Sequence, residues 1–211
     1  MKIGILGSGS VGKALAEGLL KSGHEVKLST RDSYKLTDWL AGPGAGASVG
    51  TTREAAEFGE INFLCVKGTE VESALELAGS FLGGKILVDV TNPLLFEEEG
   101  RPPKMSVGYP ESNGKRVQEL VPDAKVVKAF NTVPAAYMAN PRLSDGRPDL
   151  FIAGHKDGTG QVKKIAEGWG WNVIDIGGIE QSYLLEALAM LWIRYGYISN
   201  RWTHAFKLLV K

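Results

Sequence analysis

Glycines at 7, 9 and 12 in "GILGSGSVGKALAEGL" have the G-x-G-x-x-G spacing. The triplet follows an apolar run that begins at residue 2 and opens an alanine-rich helical stretch. In that context the spacing cradles the pyrophosphate of a dinucleotide. Gly7 permits a tight turn, Gly9 lets the backbone approach the phosphates, and Gly12 lets the helix pack close to the sheet. The N–H groups near Ser10 and Val11 then face the phosphates at a helix N-terminus. A glycine-rich turn with no ligand is the bland alternative.

The tip of the second apolar run decides which dinucleotide. An acidic residue there takes the ribose hydroxyls of NAD, whereas NADP requires that charge to be absent and an Arg to be supplied. The stretch is "KLSTRDS", so Ser29, Thr30 and Arg31 stand at the tip. Arg31 can give charge-assisted hydrogen bonds to a 2′-phosphate, and Ser29 and Thr30 can add hydroxyl donors. Asp32, 20 residues after Gly12, has nearly the spacing of an NAD reader. NADP(H) is expected, with NAD the alternative.

Three further stretches end where chemistry is expected. "CVKG" puts Val66 and Lys67 after the fourth strand, where the loop should pass the nicotinamide ribose; Lys67 could equally be a solvated lysine. "VDVTNPL" closes the fifth strand with Thr91 and Asn92, which could line the same cleft. "VVKAFNTVPAAYM" is a buried strand whose tip, Asn131, Thr132, Val133 and Pro134, contains no His, Cys, Lys, Asp or Glu. Such a tip can position a group but holds no proton donor or base. Cys65, the single cysteine, lies in the apolar run "INFLCV" and is expected to be a core thiol rather than a nucleophile. His24 reads as a turn residue, His155 as exposed, and His204 as a packing residue. No spacing suggests a metal site.

Short β-branched runs position these residues: 2–6, 25–29, 47–49, 61–66, 85–90, 125–130, 149–153 and 172–176. Helical patterns lie between most of them. Thr51 with Glu54, and Thr69 with Glu72, have capping-box spacing at helix starts. Strands alternating with helices of this length predict an α/β, Rossmann-type doubly wound, mostly parallel sheet of about eight strands, with order 3-2-1-4-5-6 in its core. Residues 1–178 form the expected nucleotide-binding domain. Residues 179–211 form a tail of two helices, "EQSYLLEALAMLWIRYGYI" and "RWTHAFKLLVK", within the same compact unit. The stretch from Asn92 to Pro110 is long for a loop, and is either a lid or a surface excursion with a solvated Glu97–Glu99 run.

With 24 basic and 24 acidic side chains in 211 residues, the charge balance gives no case for nucleic acid or an anionic membrane. One cysteine excludes a disulfide within the chain and fits a reducing compartment. The N-terminus "MKIGILGSGS" has no secretory pattern, and the richest apolar stretch carries Glu186 and Arg194. A soluble cytoplasmic protein is expected.

Taken with "STR", "VDVTNPL", "ESNGKRVQEL" and "YLLEALAMLWIRYG", the segment "KAFNTVPA" gives the chain a specific resemblance. It resembles the NADPH-dependent reductases of the deazaflavin coenzyme F(420) and the related cytoplasmic reductase domains of the STEAP metalloreductases, over essentially its whole length. The resemblance implies NADP(H) over the strand ends, with an acceptor ring, coenzyme F(420) or FMN/FAD, stacked against the nicotinamide. Hydride then moves from ring to ring, and the protein supplies position and exclusion of water. On that basis Asn131 and Thr132 hydrogen-bond a carboxamide or ring edge, Val133 offers an apolar surface and Pro134 stiffens the loop. The position matching Asn131 is commonly His in the archaeal deazaflavin reductases and Asn in the metalloreductase domains, whose haem-bearing membrane portion this chain is expected to lack.

Two other classes stay open. A small imine or β-hydroxyacid reductase needs a proton donor and usually a larger helical second domain. A non-catalytic NADP sensor would bind the nucleotide without oxidising it. The first tail helix is apolar around most of its circumference, which implies burial against the core, a partner subunit or both; a homodimer is expected in which Leu184, Leu188, Leu191 and Trp192 help bury it.

Overall fold

The computed structural model describes residues 1–144 and 146–210. In chain order the elements are β1 (Lys2–Leu6), α1 (Ser10–Lys21), β2 (Glu25–Ser29), α2 (Thr37–Leu40), β3 (Ser48–Gly50), α3 (Thr52–Phe58), β4 (Ile61–Leu64) and α4 (Val71–Ala78). There follow β5 (Ile86–Asp89), β6 (Leu94–Leu95), β7 (Lys104–Met105), α5 (Asn113–Leu120), β8 (Lys125–Lys128), α6 (Ala135–Met138), β9 (Asp149–Gly154), α7 (Lys156–Trp169), β10 (Asn172–Asp175) and α8 (Ser182–Ser199).

Eight strands form one sheet in the order β10-β9-β8-β5-β4-β1-β2-β3. The six from β3 to β8 are parallel, in the doubly wound 3-2-1-4-5-6 order. β9 joins β8 antiparallel, and β10 lies parallel to β9. The central strands β1, β4 and β5 are buried at nearly every position because both faces are covered. Ile5, Phe63, Val88 and Val127 point into one core beneath α1 and α7. Their neighbours Leu6, Leu64, Leu87 and Val126 point into a second core beneath α3, α4 and α5. That alternation is the two-residue period of a pleated strand. The order reverses between β1 and β4, opening a crevice at the carboxyl ends of the strands.

Thr51 caps α3 with the full reciprocal box to Glu54. Thr69 does not cap: residues Gly68–Glu70 form a 3-10 turn, α4 starts at Val71 without a side-chain cap, and Glu72 pairs instead with Arg116 of α5. The stretch between Asn92 and Pro110 folds back on itself as the small β6–β7 antiparallel pair. Its acidic run is paired with nearby bases, Glu97 with Lys104 and Glu98 with Arg101.

The tail departs from expectation. α8 is a helix and packs on β9 and α5, but residues 200–210 are not helical. Asn200 turns left-handed (φ 50°) and ends α8. The buried Asp149 carboxylate at the start of β9 then accepts from Leu208 N and from Lys207 Nζ (2.8 Å), and Asp149 N donates to Phe206 O (2.9 Å). These bonds take backbone groups that a second helix would have needed for itself. Trp192 also departs: it is buried within the chain, stacked on His204 (4.5 Å between ring centroids) and donating to His204 O, and so is not available to a partner. Leu184 and Leu191 are exposed, and Leu188 is half-buried.

Candidate functional site

β1 ends at Leu6 and the chain turns sharply through Gly7, whose φ of 121° suits glycine. A Cβ on Gly12 would lie 2.2 Å from Gly7 O, so α1 can approach the strand only with glycine there. A Cβ on Gly9, in contrast, would meet nothing within 4 Å. Gly9 is the N-cap of the twelve-residue α1 and supplies no side-chain cap, so the first N–H groups, around Ser10 and Val11, face outward with the positive end of the helix dipole. That open cradle fits a pyrophosphate.

At the tip of β2, the Ser29 hydroxyl accepts from Gly7 N (2.8 Å), which ties the strand tip to the glycine turn. Thr30 Oγ1 accepts from Ser8 Oγ and from Asp32 N, and donates to Asp32 O. The two hydroxyls therefore shape the loop. Arg31 is exposed, and its guanidinium has no partner among the described residues. Asp32 is committed elsewhere: Oδ1 accepts from Tyr34 N (3.1 Å) as the cap of a 3-10 turn, and Oδ2 lies 3.7 Å from Lys35 Nζ. A free guanidinium beside a spent carboxylate fits a 2′-phosphate better than free ribose hydroxyls.

Gly7, Gly9, Ser29, Thr30, Arg31, Val66 and Lys67 line one cavity of about 340 Å³. The Lys67 ammonium is exposed and has no partner among the described residues. Thr52, Ser73 and Leu77, from α3 and α4, join Glu70 in the far wall. In the sequence these three read as helix residues only; their signal is position, since each lies in the first or second turn of a helix that follows a parallel strand, α3 after β3 and α4 after β4. Cys65 forms part of the floor, where burial and, less strongly, the Asp89 carboxylate push its thiol well above the ordinary range and leave it inert.

The remaining candidates stand at the ends of β5 and β8, beyond that cavity. Asn92 and Asn131 clasp each other: Asn92 Nδ2 donates to Asn131 O (2.8 Å), and Asn131 Nδ2 to Asn92 Oδ1 (3.0 Å) and Leu185 O (2.9 Å). Asn131 is 6% exposed and its Oδ1 has no partner, a buried acceptor left for an amide or ring N–H. Phe130, just before it, is left-handed (φ 60°), a strained backbone for a bulky residue. The ring is held between Phe63 (6.4 Å) and Trp169 (5.6 Å), and the reversal it enforces sets the direction of Asn131.

Three side chains of this region do not present themselves as expected. Val133 is packed into the main core with Phe130 and Met138, so little of it is left for a ring. Thr91 is buried, its hydroxyl donating to Asp89 Oδ1 (2.6 Å) and accepting from Asn113 Nδ2 (2.7 Å). Thr132 is buried as well, and Pro134 is the N-cap of the four-residue α6. Below them lies a buried ionic group missed in the sequence: Lys128 on β8, Asp89 on β5 and Glu186 on α8.

Known proteins resemble this chain in sequence and in fold. The family model described as NADP oxidoreductase coenzyme F(420)-dependent matches residues 2–93. A crystal structure from Arthrobacter sp. FB24, provisionally assigned as an F(420)-dependent NADP reductase, is 33% identical, with a TM-score of 0.93 and complete coverage of both chains. The F420-dependent NADP reductase of Methanothermobacter marburgensis is 28% identical over 95% of this chain and 94% of its own. Metalloreductase STEAP3 of Rattus norvegicus is 32% identical over 90% of this chain but 36% of its own, so the chain spans about a third of that relative. An imine reductase from Aspergillus terreus, at 22% identity and a TM-score of 0.68, shares the fold. The chain belongs to the family of coenzyme F(420)-dependent NADP oxidoreductases.

Proposed function

We propose that this protein transfers hydride between NADP(H) and a planar ring acceptor, coenzyme F(420) or a related deazaflavin, with FMN or FAD as the second choice. The observation that carries the nucleotide half is the pairing of a free Arg31 with a committed Asp32. The N–H groups of Ser10 and Val11 and the open space at Gly9 hold the pyrophosphate, and Arg31 holds the 2′-phosphate. Asn131 Oδ1 orients the nicotinamide end. Bound NADPH supplies the hydride. The chain's residues position the rings and keep water from the strand ends; the proton that completes reduction of the acceptor comes from solvent at the mouth of the cleft.

What supports ring-to-ring transfer over carbonyl or imine reduction is the strand-end chemistry. At the ends of β5 and β8, beside Asn92 and Asn131, the titratable side chains among the described residues are Lys128, Asp89 and Glu186, fully buried and bound to one another; Cys65 is inert, and Lys67 and Glu70 line the nucleotide cavity. None of the three buried groups beside Asn131 is free to protonate a substrate. A homodimer through the exposed side of α8, and a cytoplasmic location, complete the proposal; no helix among the described residues is long and apolar enough to cross a membrane.

The test is oxidation of NADPH by the purified protein with a deazaflavin, FMN, FAD and no acceptor in parallel, and NADH as the control donor. Turnover with a deazaflavin and NADPH is expected. NADPH binding without turnover on any ring would leave a nucleotide sensor, and turnover only with an imine or ketone would replace the acceptor.

A further inference from the structure

Asp89, Lys128 and Glu186 are shut off from solvent, at 0%, 0% and 1% exposure, and meet at one ammonium. Lys128 Nζ lies 2.8 Å from Asp89 Oδ2, 2.9 Å from Glu186 Oε1 and 2.6 Å from Thr91 O, which uses its three protons. The carboxylate oxygens meet donors only. Asp89 Oδ1 accepts from Thr91 N (2.9 Å) and Thr91 Oγ1. Glu186 Oε1 also accepts from Gly114 N (2.9 Å), and Oε2 from Asn113 N (3.0 Å). Thr91 Oγ1 receives Asn113 Nδ2, so its own proton points to Asp89. With no acceptor facing a carboxyl proton, both acids are ionised, and two negative charges surround one positive charge.

Burial alone would drive Lys128 toward neutrality, but the two carboxylates more than offset it and hold its pKa above the ordinary lysine value. A surplus charge in a dry interior is expensive, and an apolar replacement is often as stable. The cluster therefore calls for a reason beyond folding. Its position supplies one. It stands at the carboxyl ends of β5 and β8, directly under Asn92 and Asn131, and Asn131 bonds the carbonyl of Leu185, next to Glu186. A dinucleotide anchored at Arg31 and crossing the glycine turn has its nicotinamide half on this side of the switch point.

We propose that the Asp89–Lys128–Glu186 cluster makes the site electrostatically selective for the oxidised, cationic nicotinamide over the reduced, neutral one, and so inclines the bound pair toward hydride release from NADPH. The inference rests on NADP(H) as the bound nucleotide. The N-terminus of α5, which faces Glu186, offsets part of the surplus charge. The remainder, acting through protein of intermediate dielectric, is worth on the order of tenfold in relative affinity.

The test is titration of NADP⁺ and NADPH against the wild type, Glu186→Gln and Asp89→Asn, with thermal melting to confirm that the variants fold. Each variant removes one negative charge from a different element. Both should lose NADP⁺ affinity about tenfold more than NADPH affinity, shifting the ratio in the same direction. A structural role alone weakens both forms in proportion, and an unchanged ratio overturns the proposal. The wild type tests it without a variant: NADP⁺ should bind at least as tightly as NADPH, and NADPH bound more than about tenfold tighter overturns it. A wild type that binds neither form overturns the NADP(H) assignment and this inference with it.

Discussion

Arg31 and Asp32 are neighbours with opposite commitments: the carboxylate caps a turn through Tyr34 N at 3.1 Å, while the guanidinium next to it stays unpaired among the described residues. Charge-assisted hydrogen bonds contribute roughly 1.5–3 kcal/mol each. Arg31→Ala should therefore weaken NADPH by about tenfold to a hundredfold and leave NADH nearly unchanged. Equal losses for both nucleotides in a binding titration would remove the 2′-phosphate role.

Gly9 and Gly12 should fail in different ways. The Cβ of Gly9→Val meets nothing within 4 Å, so the melting temperature should stay close to wild type while NADPH no longer raises it. Gly12→Ala places a methyl 2.2 Å from Gly7 O and should destabilise the protein itself by about 1–3 kcal/mol. Thermal melts with and without NADPH separate the two. Protection of Gly9→Val equal to that of the wild type would mean that the phosphates bind elsewhere.

Asp149 gives a pH dependence with a definite sign. Burial raises its pKa, but Lys207, Leu208 N and Asn172 together outweigh this and hold it below the ordinary carboxylate range. Its contribution is thus fully present above the unfolded carboxylate pKa of about 4 and is lost as pH falls through the folded value. The tail should come free at that acid limit while the sheet persists, and Asp149→Asn should release it at neutral pH. Limited proteolysis after residue 200 reports this; a tail equally resistant in Asp149→Asn would show that Trp192 and Trp202 hold it alone.

Leu184, Leu188, Leu191, Tyr195 and Ile198 follow one another along a single stripe of α8, with Leu191 58% and Ile198 74% exposed. A second copy of the chain is the proposed cover. Sedimentation should give a dimer for the wild type and a monomer of unchanged helicity for Leu191→Glu. A wild-type monomer at micromolar concentration would dismiss that interface.

Strands β1, β4 and β5 were legible because residues such as Ile5 and Leu6 are apolar on both faces, as a covered parallel sheet requires, and β2 because Val26 and Leu28 alternate with polar residues. The glycine loop was legible because its spacing carries its own geometry. The fate of Asp32 was not, since a local cap at Tyr34 competes with a ligand and the sequence permits both. The tail after Asn200 was misread because its helical pattern is overruled by Asp149, a residue remote in sequence. The ionic cluster went unseen for the same reason: Lys128 in "VVKAF" and Glu186 in an apolar helix look like isolated charges until β5, β8 and α8 come together. Val133 and Thr91 were assigned to the cleft by position in a loop, whereas packing and the Asp89 carboxylate turn both inward.

The central claim is direct transfer of hydride from NADPH to a ring acceptor without a protein acid or base. NADPH deuterated at the transferring position of nicotinamide C4, mixed with the protein and oxidised coenzyme F(420), tests it most directly. The label should appear on the reduced deazaflavin ring and not in water, and the rate should lack the steep pH dependence of a titrating catalytic group. Label lost to solvent, or no reduction of the ring while NADPH stays bound, would contradict the account.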